Sequence, residues 1–318
     1  MSSEAYEYPD ELQPYEDRAV RLEWLSLVFL TLTAALVFVV MGNSQAMKAS
    51  LFEDLVALIP PATFLVVRRI RRRPQTRGYP YGFHRAVTVG FLVSAVSLTV
   101  VGAYLLYDGA SVLIRQERVA IGTMELFGYL VWQGWAMIAV MVFASVPLVF
   151  IGRAKQKPSR RIHDKLLHSD AEMNAAAWKT GAATVVGIAG IGAGFWWADA
   201  AAAVFVSLDI LYDGIRNLRD AVGDIMDRRP RTVDHRHDLE LSEKIQRRLG
   251  ELDWVRDARV RLRENGHVFF GEIAVRPVDE KAPLARIAEA ERAAHGLDWR
   301  IRHVVVTLVA AGELEQRL

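Results

Sequence analysis

"RRIRRRPQTRGYPYGFHR" occupies residues 68–85, and its seven arginines separate two long apolar runs. A bilayer core about 30 Å thick takes about 20 mostly apolar helical residues, and loops rich in Lys and Arg stay in the cytosol. A second basic stretch, "RAKQKPSRRIHDK" (153–165), holds six lysines or arginines. Outward from these two anchors, six runs are expected to cross the membrane: 22–42, 47–67, 86–107, 129–151, 168–190 and 195–215. The other connections offer only Lys48, Arg115 and Arg118 as basic residues. Both basic loops, and with them both termini, are therefore expected in the cytosol.

Of the 318 residues, 52% are hydrophobic, and the excess lies between about 22 and 215. The net charge of +2 gives no reason to expect a nucleic-acid partner. With no cysteine, disulfides, thiolate metal sites and cysteine nucleophiles are excluded. The first 21 residues, "MSSEAYEYPDELQPYEDRAVR", lack the basic start and short apolar core of a cleaved signal, and read as an acidic cytosolic tail. The membrane domain is expected over 22–227 and a soluble domain over 228–318. In the latter the pattern predicts a helix (239–251), a strand (254–263), a turn at "ENGH", a strand (267–276), a helix (283–296) and a strand (301–309). That α-β-β-α-β order suggests a small α+β domain, an open sheet with helices on one face and an interaction or regulatory role. No His-Glu-x-x-His or serine–lysine arrangement occurs, so an enzyme is not expected. "GIAGIGAG" (187–194) reads as close helix packing through small residues.

A charge in hydrocarbon is costly unless paired, so each one in the spans needs a reason. The candidates are Glu53 and Asp54 in the second span, Asp170, Glu172 and Lys179 in the fifth, and Asp209 and Asp213 in the sixth. From the helical rise, Glu53, Asp54 and Lys179 lie about 20 Å in, and Asp170, Glu172 and Asp209 about 8–10 Å. Asp170 and Asn174, four apart, share one face. Glu172 and Lys179 share another, about 160° from Asn174. Lys179 reads as a structural partner of Glu172 or Glu53, as an internal cation competing for the acids, or as a stem reaching the interface. Pro60–Pro61 marks either a packing kink or a place where freed carbonyls and a hinge serve a site.

Two segments carry a family likeness beyond this layout: "YPYGFHRA" (79–86) and "WWADAAAAVFVSLDILYDGIRNLRDAVGDIMDR" (196–228). With the six spans, the basic loops and the α/β tail, they resemble the cation diffusion facilitator, or cation efflux, family over about 20–310. The resemblance implies six transmembrane helices with a ferredoxin-like cytosolic domain, in the cell (inner) membrane. It also implies a homodimer, joined through the tail and the membrane helices, that exports a divalent cation in exchange for protons.

In the family's zinc exporters the metal lies between an Asp-x-x-x-Asp on span two and a His-x-x-x-Asp on span five. Counting back from "YPYGFH" and "ADA" puts those positions at Glu53, Ala57, Met173 and Ala177, so only Glu53 keeps a ligand. The corresponding tail positions fall on Ala258, Ala274 and Thr307, while His235, His237, His267, His295 and His303 are scattered. No zinc is expected in the folded tail, and no resident cofactor beyond the transported cation. A rebuilt oxygen site is expected from Glu53, Asp54, Asp170, Asn174 and Asp209, with Glu172 as an additional ligand and Lys179 coupling or compensating charge. Among Mn, Fe, Mg, Co and Zn, such ligands favour the harder ions. The alternative is a transport-inactive scaffold or metal sensor with a decayed site. Decay should remove costly membrane charges, and this chain retains several.

Overall fold

The computed structural model describes residues 8–118, 120–126, 129–279 and 284–310. Seven helices form the membrane part: α1 (Gln13–Val40), α2 (Gln45–Ala57), α3 (Ile59–Arg71), α4 (Ala86–Arg115), α5 (Gln133–Ile162), α6 (Lys165–Gly192) and α7 (Ala198–Ile225). Among the described residues, four stretches can cross a membrane by length and composition: Gln13–Val40, Gln45–Arg71, Ala86–Arg115 and Gln133–Ile162. Helices α6 and α7 are 28 residues each but interleave charge with their apolar runs. The expected second span is two helices, because Pro60 and Pro61 open a new one at α3. There a missing N–H leaves nothing unsatisfied inside the first turn.

Close approach of backbones holds the bundle together, with α4 against α7 and α5 against α6. A Cβ at Gly102 would lie 2.8 Å from the Leu211 backbone, and one at Gly152 would run into the Ala175 nitrogen. The "GIAGIGAG" stretch packs in the same way, with Gly187 on Ala202 and Gly190 on Ala198. Helix α1 starts at Gln13, well before its apolar run, because charge pairing rather than lipid orders its first turns. Glu16 is buried there and accepts from Arg68 (3.1 Å), Arg71 (2.6 Å) and Arg72 (2.8 Å) of the basic loop. A hairpin of β1 (Thr123–Leu126) and β2 (Tyr129–Trp132) follows α4. The expected fourth span began at residue 129, so β2 takes its first four positions and the helix itself starts at Gln133.

The tail runs α8 (Leu241–Gly250), β3 (Val255–Asn265), β4 (Val268–Pro277), α9 (Leu284–His295) and β5 (Ile301–Leu308). The expected order α-β-β-α-β is present, with each element within a few residues of its predicted bounds. In the sheet β4 is central, antiparallel to β3 and parallel to β5. Phe269 faces the tail's own core with Ile245, Leu249 and Ile273. Its neighbour Phe270 points the other way, as period-2 alternation requires, into a cluster with Phe64, Phe91, Ile162 and Leu166 of the membrane helices. The β3–β4 turn closes this contact. Gly266 has φ +71°, and a Cβ there would run into the His84 carbonyl oxygen.

Candidate functional site

Three helices turn one stripe each toward a cavity of about 30 Å³ inside the bundle. Ser50, Glu53, Asp54 and Ala57 of α2 are spaced i, i+3, i+4, i+7, which places them on one helical face. Helix α5 contributes Met141, Ala144, Ser145 and Leu148 at the same spacing, and α6 adds Met173, Asn174, Ala177 and Thr180. All four positions marked by the family pattern, Glu53, Ala57, Met173 and Ala177, therefore line one cavity. Its polar wall is oxygen-rich and holds no imidazole. Thr180 donates to Glu53 Oε1 at 3.2 Å, and the Ser50 and Thr184 hydroxyls lie 3.0 Å apart.

Glu53 also lines a second, smaller cavity of about 10 Å³ with Thr180, Asp209 and Asp213. The last two are four apart on α7 and so share a face. Lys179 reaches Asp209 at 3.5 Å. Neither of its expected partners, Glu172 or Glu53, is the one it meets. Glu172 instead pairs with Arg216 at 3.0 Å and lies 3.6 Å from His168, away from both cavities.

Asp170 stands apart from the cavities as well. Its carboxylate binds Lys155, which also donates to Glu23 Oε2 at 2.9 Å, and it accepts from Asn174 Nδ2 at 3.2 Å. All four of these residues are buried, at 1% exposure or less. Asn174 thus touches the Lys155 cluster while lining the larger cavity. The structure brings Glu53, Asp54 and Asn174 around one space and Asp209 beside it, and engages Asp170, Glu172 and Lys179 in ion pairs. Among the described residues, no three His, Asp or Glu side chains converge closely enough to hold a metal ion. An ion here would need amide and hydroxyl oxygens as well.

Sequence reasoning missed Glu23 and Lys155. One stands where the apolar run of α1 begins, and the other was counted only among the basic loop's charges. It also passed over the hydroxyls of Ser50, Ser145 and Thr180, whose helical spacing relative to Glu53 and Asn174 was a usable signal.

A second polar cluster joins the tail to the bundle. Lys165, opening α6, donates to Asp224 and Glu264, each at 2.8 Å. Burial alone would raise the Glu264 carboxyl, but the Lys165 ammonium and the His163 imidazole together outweigh it and hold it down at about 2. The histidines here shift by the opposite route. Burial, then Arg302 and Arg71, lowers His84 to about 4, and burial lowers His163 and His267 too. These imidazoles are neutral at physiological pH. His163, Asp164 and His168 do not form a common site: Asp164 caps α6 through the Leu167 amide, and His168 meets Ser159.

A model of the cation efflux transmembrane domain matches residues 23–226. Two proteins described as probable cation efflux system proteins, from two strains of Mycobacterium tuberculosis, are each 24% identical over 315 residues. Each alignment covers 98% of this chain and 87% of the relative.

Proposed function

The chain belongs to the cation efflux family, and we propose from this premise that it exports a divalent cation through the oxygen-lined space between α2, α5 and α6. The observation that carries the reading is the coincidence in one cavity of all four inherited positions, Glu53 among them, with Asp54, Asn174 and Thr180. Carboxylate, amide and hydroxyl oxygens suit Mn²⁺, Mg²⁺ or Fe²⁺ better than Zn²⁺ or Co²⁺. Asp209 and Asp213, sharing Glu53 with the first cavity, form the next station along the path. Lys179 offsets part of their charge. Asp170 and Glu172 serve the site indirectly, through the ion pairs that fix α6 against α5 and α7.

In this reading α6 and α7 are the fifth and sixth spans, and both termini are cytosolic, at the cell (inner) membrane. The domains divide near residues 22 and 228, and the tail is a ferredoxin-like unit that dimerises with a second copy. Protons are the counter-ion, because the same carboxylates carry them when the metal leaves. The reading involves no chemical turnover. Uptake by proteoliposomes of Mn²⁺, Mg²⁺, Fe²⁺, Co²⁺ and Zn²⁺, with a pH dye inside, tests it. Flux of a hard ion with opposite proton movement is expected. No flux of any ion would favour the scaffold or sensor instead.

A further inference from the structure

We propose that Lys155, together with Glu23, is a positioning residue for the cavity. By holding Asp170 as a hydrogen-bond acceptor, it makes Asn174 present its amide oxygen, not its NH₂ group, to a cation. The proposal rests on the reading that the cavity binds the transported ion.

Glu23 comes from α1, Lys155 from α5, and Asp170 and Asn174 from α6, so three helices close around one ammonium. Lys155 is fully buried, and its charge is met by two carboxylates at once. An ionised carboxylate can only accept hydrogen bonds, whereas an amide offers a donor at one end and an acceptor at the other. Asn174 must therefore turn its Nδ2 toward Asp170, and it does so at 3.2 Å. That choice commits the other end. Asn174 Oδ1 is buried and has no hydrogen-bond partner among the described residues, and Asn174 lines the cavity with Glu53 and Asp54. An amide oxygen ligates hard cations and an amide nitrogen does not. The orientation of this one side chain thus decides whether the α6 wall attracts or repels an ion. Without Lys155, the ion pair that fixes the Asp170 carboxylate against α5 is lost, and the Asn174 amide is no longer held in that orientation.

The test is Mn²⁺ binding to the purified full-length chain, measured by titration calorimetry beside the thermal unfolding midpoint. Loss of an outer partner of a metal ligand weakens binding by about 10–100-fold, and that loss is expected for Lys155→Met. Lys155→Arg keeps the charge and should bind as the parent does. The double variant Lys155→Met with Asn174→Asp should recover affinity, because a carboxylate carries oxygen at both ends and needs no orienting. A purely structural role for Lys155 predicts no such rescue. Parental Mn²⁺ affinity in Lys155→Met, or no recovery in the double variant, overturns the proposal. Should Lys155→Met not fold, Asn174→Leu takes its place, and parental affinity there overturns it equally. Parental affinity in Glu53→Ala with Asp54→Ala would instead overturn the reading of the cavity itself.

Discussion

Lys165, the first residue of α6, binds Glu264 near the end of β3 at 2.8 Å, so one buried ion pair ties the tail to the membrane bundle. Asp224 of α7 shares the same ammonium. Removing one partner of a buried pair costs about 3–5 kcal/mol, because the other charge stays buried. Lys165→Met leaves two carboxylates facing each other and should lower the unfolding midpoint in detergent clearly more than Lys165→Arg does. Proteolysis of the linker following α7 should also accelerate. An unchanged midpoint and cleavage rate would show that the apolar cluster around Phe270 holds the tail alone.

Acid should loosen the same junction. Burial holds His84, His163 and His267 below the ordinary imidazole value, with His84 at about 4. Unfolded chains then bind more protons, and stability falls as the pH drops below about 6.5, by about 1.4 kcal/mol per pH unit for each histidine kept neutral. Glu264, depressed to about 2, contributes stability above about 4.5 that is lost as the pH falls toward 2. Both trends have the same sign, and the Asp224 and Asp164 carboxyls of this junction, raised by burial, work against them. Midpoints measured from pH 7.5 to 4.5 should decline, and His84→Asn should flatten the decline by about one proton. A flat profile in the parent would contradict this account.

Gly152 tests the packing of α5 on α6. A side chain there runs into the Ala175 backbone, and overpacking of this kind costs about 1–3 kcal/mol. Gly152→Val should therefore lower the midpoint. Gly78→Ala, with nothing within 4 Å of the new methyl, should leave it within error.

The acids of α2 and α6 should separate functionally. Glu172 is half-buried and paired with the more exposed Arg216. Pairs of this sort are worth about 0–1 kcal/mol, so Glu172→Gln should change flux little. Glu53→Gln, which alters the wall shared by both cavities, should reduce flux by at least about tenfold. Equal losses in the two variants would argue against the cavity as the path.

Much of the architecture was legible because membrane spans and alternating strands leave strong periodic signals. The order of the tail elements and the break at Pro60–Pro61 could both be read from the residues. What escaped was set by long-range pairing. Glu16 extends α1 backward only because Arg71 and its neighbours fold over it, and no local pattern announces that. Lys155 looked like one more loop cation, yet α5 carries it into contact with Glu23 and Asp170. The place of Asn174 on the cavity wall was legible from the helical face it shares with Met173 and Ala177. Which end of its amide faces the path depends on residues of two other helices.

The central claim is that the cation sits among oxygens at Glu53, Asp54 and Asn174. Pulsed electron paramagnetic resonance of Mn²⁺ bound to the full-length protein tests it most directly. The account predicts a bound ion with no coupling to imidazole nitrogen, and loss of that signal in Glu53→Ala with Asp54→Ala. Imidazole coupling in the parent, or an unchanged bound signal in the double variant, would contradict it.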